Sequence, residues 1–425
     1  MNAQEIIALA VFLGVYAFII TERIHRTVAA MVGASVILLV GIVPWEKVPE
    51  YLDLGTILLL AGMMVVVNVS RESGLFEYIA IKTAKLSKGD PMKVLLLFSV
   101  VTAVVSAFLD NVTTVLLLTP MLLYITKRMN VNPVPFLLAE IFASNIGGTA
   151  TLIGDPPNIM IGSAAKLSFN EFLTNMGPIA VVDLFVTVAI VYFAYRNSIK
   201  VSPSKRAEIE RLIMGMDERD AIRDRELFRK SVIIILAIVL GFFLHDTMGV
   251  EPAVIALLGA STMLLWSGFS PEEALEKVEW ATLFFFGGLF LIVGGLVETG
   301  FIDALAEKII GMIHSEAQAI FVISWFSAIS SAIVDNIPLT ATMIPLIKAM
   351  GSSMNTYPLW WALSLGACLG GNGTAIGASA NVVVIGIAHR EGVRITFGEF
   401  LKVGAVIMFS TVAVGSLMLW VRYGL

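Results

Sequence analysis

Long apolar runs separated by short polar breaks make up most of the chain, and the runs are 15 to 22 residues long. A helix needs about 20 such residues to cross a hydrocarbon layer of roughly 30 Å. The pattern therefore predicts an all-α polytopic membrane protein. The predicted spans lie at 6–20, 27–43, 54–70, 92–109, 112–126, 134–166 and 175–195 in the first half, and at 231–247, 251–267, 280–297, 317–333, 338–350, 358–388 and 402–421 in the second.

The residues at the breaks recur in the same order in both halves. The first set, which recurs 225 positions later, is Asp110, Asn111 and Pro120 with Asp335, Asn336 and Pro345. The second set recurs 223 positions later and is Gly147, Gly148, Thr151, Ile153, Gly154 and Asn158 with Gly370, Gly371, Thr374, Ile376, Gly377 and Asn381. Each half is thus predicted to hold a re-entrant hairpin (92–126 and 317–350) and a broken helix (134–166 and 358–388). About five crossings in each half, an odd number, make 1–195 and 231–425 inverted repeats.

The distribution of charged residues predicts how the chain is oriented in the membrane. Only 14% of the residues are charged and 57% are hydrophobic, against roughly 25% charged in soluble domains, which excludes a water-soluble globule. Seventeen charges lie in 196–230, which is predicted to be a charged linker. Placing this linker in the cytoplasm puts 23 of the 28 Lys and Arg residues on that face of a prokaryotic-type inner membrane, with the N-terminus outside.

Two aspartates at the hairpin tips are the leading candidates for coupling residues. Asp110 and Asp335 lie inside apolar runs, and an ionised carboxylate costs at least about 2.5 kcal/mol at membrane depth. Such a group is therefore expected to face a cavity and to bind a proton or a cation. The alternative is that Asp or Asn caps the second arm of each hairpin, because short polar side chains accept from the free N–H groups at helix starts.

The two glycine-rich breaks predict a ligand cavity, since irregular backbone at membrane depth is tolerated where protein or water satisfies it. Asp155 before Pro156 is expected to cap a new helix, and Ser379 could cap its counterpart. Two helix N-termini facing one point would favour an anion without Lys or Arg, neither of which is expected at mid-span. Close helix packing is the other use of such glycines.

The candidate ligands for a solute or ion are Asp110, Asn111, Thr113, Thr114, Asn145, Gly148, Thr151, Gly154, Asp155, Asn158, Asp335, Asn336, Gly371, Asn372, Thr374, Gly377, Ser379 and Asn381. No cofactor is expected apart from Na⁺ as a coupling ion, which Asp110, Asn111, Asp335 and Asn336 could hold. No nucleic-acid patch and no nucleophile with a base partner is visible, so neither nucleic-acid binding nor an enzyme is predicted.

The four motifs resemble those of the ion transporter superfamily, which contains ArsB, NhaD and citrate-transporter-like proteins, and most of all its branch of arsenite permeases and pink-eyed dilution P proteins. The resemblance implies an elevator-type secondary transporter, commonly a homodimer. Sodium-dicarboxylate symporters of this superfamily have Ser-Asn-Thr at the hairpin tips. Asp110 and Asp335 stand where those serines would be, which argues against dicarboxylates and adds acid to the coupling sites.

Three functions follow as hypotheses. The first is H⁺- or Na⁺-coupled transport of arsenite, antimonite or a similar small inorganic oxyanion, and an arsenite-type protein could also have a soluble ATPase subunit as a partner. The second is Na⁺/H⁺ antiport by the two aspartates. The third is an anion channel or a di- or tricarboxylate symporter of the same fold.

Overall fold

The computed structural model describes residues 2–21, 23–313 and 315–424, and within these ranges the chain is helical with no strand. The helices of the first half are α1 (Ala3–Thr21), α2 (Arg26–Leu39), α3 (Val48–Tyr51), α4 (Leu54–Glu72), α5 (Leu75–Leu86), α6 (Pro91–Phe108), α7 (Asn111–Arg128), α8 (Val134–Thr149), α9 (Pro156–Ala165), α10 (Phe169–Asn175) and α11 (Gly177–Ile199). Helix α12 (Pro203–Met214) follows. The helices of the second half are α13 (Arg225–Met248), α14 (Pro252–Ser267), α15 (Pro271–Glu276), α16 (Trp280–Glu298), α17 (Phe301–Ile310), α18 (Glu316–Ser331), α19 (Asn336–Met350), α20 (Tyr357–Gly370), α21 (Ser379–Arg390) and α22 (Phe397–Tyr423).

Seven of the described helices are long and apolar enough to cross a membrane by length and composition: α1, α4, α6, α11, α13, α16 and α22. Helices α2 and α14 are shorter apolar helices. Many large hydrophobic side chains on the outer helices are exposed, such as Leu39 at 87% and Leu265 at 88%. An apolar exterior of this kind is what a lipid environment requires, and the prediction of a polytopic helical membrane protein is confirmed.

Helices stop and restart at both predicted hairpin tips and at both predicted breaks. Helix α6 ends at Phe108 and α7 begins at Asn111, and α18 and α19 meet in the same way at Asp335. The long runs 134–166 and 358–388 are interrupted at 150–155 and 371–378. The interruptions fall at the glycine-rich motifs, where the backbone freedom of glycine makes a continuous helix less stable.

Helix packing sorts most of these elements into two groups. Bundle A consists of α1, α2, α4, α13, α14 and α16, and bundle B consists of α5–α9, α11 and α17–α22. In bundle B, α6 lies along α8 and α18 along α20. Glycine permits these approaches, because a Cβ on Gly147 would lie 2.2 Å from the Ala103 carbonyl oxygen and one on Gly370 would lie 2.4 Å from that of Ala328.

The segment 196–230 differs from the predicted linker. Helix α11 continues to Ile199 and α13 begins at Arg225, so the linker is shorter, and it contains α12. This helix contacts α5 and α7 and buries Ile209 and Ile213, each 1% exposed. The short helices α5, α10, α15 and α17 were also not predicted, because their charged or short sequences have the composition of loops. We call the end of the molecule where α12 lies the linker face.

Charging the buried side of α12 should release it. Ile209→Asp is expected to raise the rate of tryptic cleavage within 196–230 at least about tenfold, because burying a carboxylate costs several kcal/mol and proteolysis follows the population of the open form. The rate is measured on purified protein in detergent. Leu212→Asp is the matched control, since Leu212 is 43% exposed on the same helix. Equal cleavage of both variants would show that α12 is not held by its buried face.

Candidate functional site

The two hairpin tips converge on the carboxylate of Asp155, the residue before α9. The side-chain amide of Asn111 at the first tip donates to Asp155 Oδ1 (3.4 Å), and that of Asn336 at the second tip donates to Asp155 Oδ2 (3.2 Å). All three residues are buried. Asp155 therefore joins one broken helix to the tips of both hairpins. Asn111 lies 44 residues before it in the sequence, and Asn336 lies 181 residues after it.

The two tip aspartates have different surroundings. Asp110 Oδ1 accepts from the backbone N–H of Thr113 (2.9 Å), and the Thr113 hydroxyl donates to Oδ2. Asp335 Oδ1 accepts from the backbone N–H of Ile337 (3.2 Å). Each aspartate therefore caps the second helix of its hairpin, as the alternative in the sequence predicted. The capping leaves Oδ2 of Asp335 to make contacts outside its own helix.

Arg26, the first residue of α2, supplies those contacts. Its Nη1 donates to Asp335 Oδ2 (3.0 Å) and to the hydroxyl oxygen of Ser379 (2.7 Å), while the Ser379 hydroxyl donates to Asp335 Oδ2 (2.6 Å). The expectation of a site without Lys or Arg is therefore wrong. Hydropathy could not show this, because Arg26 precedes its span by one position and its partner is 309 residues away.

The capping roles expected at the breaks are also different in the structure. Ala378, not Ser379, is the residue that precedes α21, and Ser379 is its first residue. Asp155 does occupy the position before α9, but its side chain makes no capping hydrogen bond. Both side chains instead contact the second hairpin tip. Asp155 accepts from the Asn336 amide, and the Ser379 hydroxyl donates to the Asp335 carboxylate.

A small cavity of about 30 Å³ lies between the tips. Its acidic lining residues are Asp110, Asp155 and Glu279, and its basic lining residue is Arg26. Glu279 precedes α16 and accepts from the Thr282 hydroxyl (3.1 Å). It was not predicted as a site residue, although it matches Asp53 at the 226-residue spacing that relates Thr56 to Thr282. We call this space the central cavity.

Several predicted ligands instead bridge the breaks. The side-chain amide of Asn158 donates to the carbonyl oxygens of Gly148 (3.0 Å) and Thr151 (2.9 Å), and Asn381 donates to those of Gly371 (2.7 Å) and Thr374 (2.9 Å). Thr151 and Thr374 hydroxyls donate to the Ala107 and Ala332 carbonyls at the ends of α6 and α18. These groups satisfy backbone atoms that interrupted helices leave free.

The remaining predicted residues lie within bundle B. Gly148 packs on Gly154, where a Cβ would lie 2.7 Å from a carbonyl oxygen, and Gly371 packs on Gly377. Asn145 donates to Asn372 Oδ1 (2.9 Å) and Asn381 Oδ1 (3.1 Å), so it connects the two breaks. Among the described residues, the Asn372 amide nitrogen and the Thr114 hydroxyl are buried without a hydrogen-bond partner.

Losing the Asn158 bridge should destabilise the fold. Asn158→Ala leaves buried carbonyls without a donor and is expected to cost about 3 kcal/mol of folding free energy, because each unsatisfied group costs about 1–3 kcal/mol. Thermal unfolding of the purified protein measures this. Asn197→Ala, at an exposed position on α11, is expected to stay within about 0.5 kcal/mol of wild type. Wild-type stability in Asn158→Ala would contradict the bridging role.

Two larger spaces flank the central cavity. The first, of about 430 Å³, has Ile24, Arg26, Asp335 and Ser379 in its lining and is called the linker-side vestibule. The second, of about 550 Å³, is lined by residues that include His245 in the last turn of α13, about 30 Å along that helix from its start at the linker. The central cavity shares Arg26 and Ser379 with the first space and no lining residue with the second.

Contacts at the start of α2 place the first vestibule on the linker face. The Thr27 hydroxyl donates to the carbonyl of Ala281 at the start of α16 (2.7 Å), and Lys277 just before α16 pairs with Glu72 (2.7 Å) at the end of α4. The next residue, Ser73, accepts a backbone hydrogen bond from Arg223 of the linker (3.1 Å). The central cavity therefore adjoins the vestibule nearer the linker in this conformation.

Within the described ranges, no group of three or more His, Cys, Asp or Glu side chains could hold a metal ion. The four residues predicted for Na⁺ contact protein groups in this conformation, with the Asn111 and Asn336 amides directed at Asp155.

An apolar helical exterior around a buried acidic cavity with vestibules defines the class, a membrane transporter. The chain belongs to the citrate transporter family, CitMHS, whose family model matches residues 16–366. It is 42% identical over 429 residues to the uncharacterized transporter Rv2684 of Mycobacterium tuberculosis, with 99% of each chain covered. It is 33% identical over 506 residues to the human P protein, covering 100% of this chain and 60% of that protein.

The fold likewise resembles that of a solved transporter. The crystal structure of the Alcanivorax borkumensis YdaH transporter matches with a TM-score of 0.59 at 14% identity, covering 89% of this chain and 87% of that one. At this identity the match shows the fold alone. The predictions that the chain resembles the citrate-transporter-like superfamily, is a transporter and is not an enzyme are confirmed by these relatives.

Proposed function

We propose that this protein is a secondary active transporter that couples H⁺ or Na⁺ to the movement of a small inorganic solute of the arsenite or antimonite type. The observation that carries the proposal is the central cavity, which is lined by three carboxyl groups and the Arg26 guanidinium, with the Arg26 guanidinium paired to Asp335 beside it. Buried charges need partners, and carboxylates in excess of basic groups bind protons or cations. Cation loading would therefore balance the site.

The same charge balance bears on the solute. Citrate carries three carboxylates and would enter a space that is already acidic, where Arg26 is engaged by Asp335 (3.0 Å). Arsenous acid is uncharged at neutral pH, and its hydroxyl groups can bond to amides such as those of Asn111 and Asn336. In its charge, a small neutral solute accompanied by a cation thus suits the site better than a tricarboxylate does.

Matching contacts in the two halves support inverted repeats. Ser106 Oγ donates to the Ser144 carbonyl (2.7 Å), and Ser331 Oγ donates to the Ala367 carbonyl (2.6 Å). The two donors are 225 residues apart and the two acceptors are 223 residues apart, as are the repeated motifs in the sequence. The paired vestibules support alternating access, with bundle B moving against bundle A as in an elevator. Homodimer formation, a soluble ATPase partner and the cytoplasmic location of the linker stay predictions.

Purified protein in proteoliposomes tests the proposal. Arsenite uptake is measured under an imposed pH gradient, an imposed Na⁺ gradient or neither, with citrate as the comparison solute. Accumulation driven by one gradient supports the proposal. Uptake that ignores both gradients, or that is unchanged when Asp110→Asn and Asp335→Asn are combined, would overturn it.

Na⁺/H⁺ antiport is the second candidate, and the size of the central cavity favours it. About 30 Å³ holds one water or one small ion and no larger solute in this conformation. This function predicts Na⁺-dependent proton movement across everted vesicles without any added anion, reported by a pH-sensitive dye. Currents in planar bilayers at rates above those of a moving carrier would instead identify a channel.

A further inference from the structure

Arg26 belongs to bundle A but has its ionic partner in bundle B. Its guanidinium carbon lies 5.2 Å from the centre of the Phe285 ring of α16, which holds the side chain against its own bundle. Asp335 and Ser379, which receive its hydrogen bonds, belong to the second hairpin tip and to α21. The contact therefore crosses from one bundle to the other at the edge of the central cavity.

The other polar contacts between the bundles carry less charge. The Tyr16 hydroxyl donates to the Pro338 carbonyl (2.5 Å), and the Ser163 hydroxyl donates to Asp53 (2.8 Å). Within the part of the chain that the structure describes, Arg26 with Asp335 is the ion pair that joins bundle A to bundle B. The Ser163 bond to Asp53 has one charged partner and the Arg26 bond to Asp335 has two, so the Arg26 pair is the polar contact between the bundles with the most charge.

The pair also stands between the linker-side vestibule and the central cavity. Both residues line that vestibule, and the side chains are 30% and 14% exposed for Arg26 and Asp335. A cation that enters from this vestibule reaches Asp335 where the guanidinium already sits. Asp335 Oδ2 already accepts from Arg26 Nη1 and from the Ser379 hydroxyl, so a cation that binds this oxygen competes with the guanidinium for it.

We infer that Arg26 is a tethered cation that neutralises Asp335 in the unloaded carrier, holds bundle B against bundle A in this conformation, and is displaced when the transported cation binds Asp335. The inference rests on the proposed function for the cation and on the geometry for the tie between bundles. Displacing Arg26 would remove that tie at the moment the site is loaded. Arg26 thereby acts as a positioning residue that links cation binding to movement.

A labelling experiment tests the tie without requiring transport. Cys368 is the single cysteine of the chain and is buried, so a cysteine introduced as Ile20→Cys, in the wall of the linker-side vestibule, can be modified selectively by a positively charged methanethiosulfonate reagent. In this background Arg26→Gln is expected to slow modification about threefold, because losing an ion pair shifts the population away from this conformation. Arg23→Gln, three positions earlier in an exposed loop, should leave the rate unchanged.

The role of Asp335 as the partner of Arg26 is tested by combining the two substitutions. Asp335→Asn should slow modification as much as Arg26→Gln does, and adding Arg26→Gln to Asp335→Asn should change nothing further. An equal slowing by Arg26→Gln in both backgrounds would mean that Arg26 acts through another group, and would overturn the inference. A wild-type rate in the Arg26→Gln variant, or equal slowing by Arg23→Gln, would overturn it as well.

Flux measurements test the displacement by the cation. With the driving cation found in proteoliposomes, Arg26→Gln is expected to lower the half-saturating cation concentration about fivefold, because no guanidinium competes for Asp335, while Arg23→Gln keeps the wild-type value. An unchanged or higher value in Arg26→Gln would overturn the displacement. Wild-type protein without any cation-driven flux would overturn the proposed function, and the labelling result would still decide the tie.

Discussion

Replacing Asp155 with asparagine is expected to lower cation-driven transport at least about 100-fold while leaving a folded protein in the membrane. Removing one partner from a buried charged network costs at least about 2.8 kcal/mol, which corresponds to that factor. The amides of Asn111 and Asn336 both donate to this carboxylate, so the substitution removes the charged acceptor that the two hairpin tips share. Initial rates of gradient-driven uptake in proteoliposomes measure the effect.

The control makes the same aspartate-to-asparagine change outside the central cavity. Asp303→Asn removes an exposed carboxylate on α17, outside the central cavity, and is expected to leave the uptake rate within a factor of about two of wild type. Equal amounts of monodisperse protein must be reconstituted for both variants. If Asp155→Asn transports at the wild-type rate, Asp155 is not the residue on which the site depends.

Alanine at Gly147 is expected to cause a large loss of stability. The added Cβ would lie 2.2 Å from the Ala103 carbonyl oxygen and 2.6 Å from its Cα, and both are backbone atoms that cannot turn aside. Forcing α6 and α8 apart should cost about 2 kcal/mol or more of folding free energy, or prevent folding altogether. The fraction of protein that stays monodisperse after heating provides the measurement.

A matched glycine in the same bundle supplies the control. Gly386 lies inside α21, and a Cβ there would have no heavy atom within 4 Å. Gly386→Ala should therefore stabilise the helix by about 0.5–1 kcal/mol, since alanine loses less backbone freedom on folding. The two variants change the same atoms and are expected to move the midpoint of unfolding in opposite directions. A shift of the same sign in both would show that helix contact does not decide the outcome.

Hydropathy predicted the membrane-spanning elements closely because burial in lipid makes length and composition informative. Helix α16 spans Trp280–Glu298, against a predicted 280–297, and α6 spans Pro91–Phe108, against 92–109. Helix α5 was missed because Glu77, Lys82 and Lys85 interrupt its apolar pattern. Its helical state depends on packing against α6 and α7, which a local sequence window does not contain.

The candidate site was predictable only in part. The repeated motifs identified Asp110, Asp155 and Asp335 as unusual acids in apolar runs, and the structure brings the hairpin tips to Asp155. Some predicted polar residues line the cavity, and others bind the free backbone groups of the interrupted helices. The sequence does not separate the two sets, because the difference depends on contacts such as that of Asn158 with the Thr151 carbonyl. Arg26 could not be assigned, because its role arises from a partner in the opposite half of the chain.

The docked linker has a mechanical consequence at the turn between α4 and α5. Gly74 has a left-handed φ of 83°, and a Cβ there would lie 1.8 Å from the Ala221 carbonyl oxygen. The chain thus passes from bundle A into bundle B at Gly74, and returns from the linker to bundle A at Arg225, at nearly the same point in space. Because these two stretches of backbone lie side by side, a displacement of bundle B relative to bundle A would bend both of them together at this place.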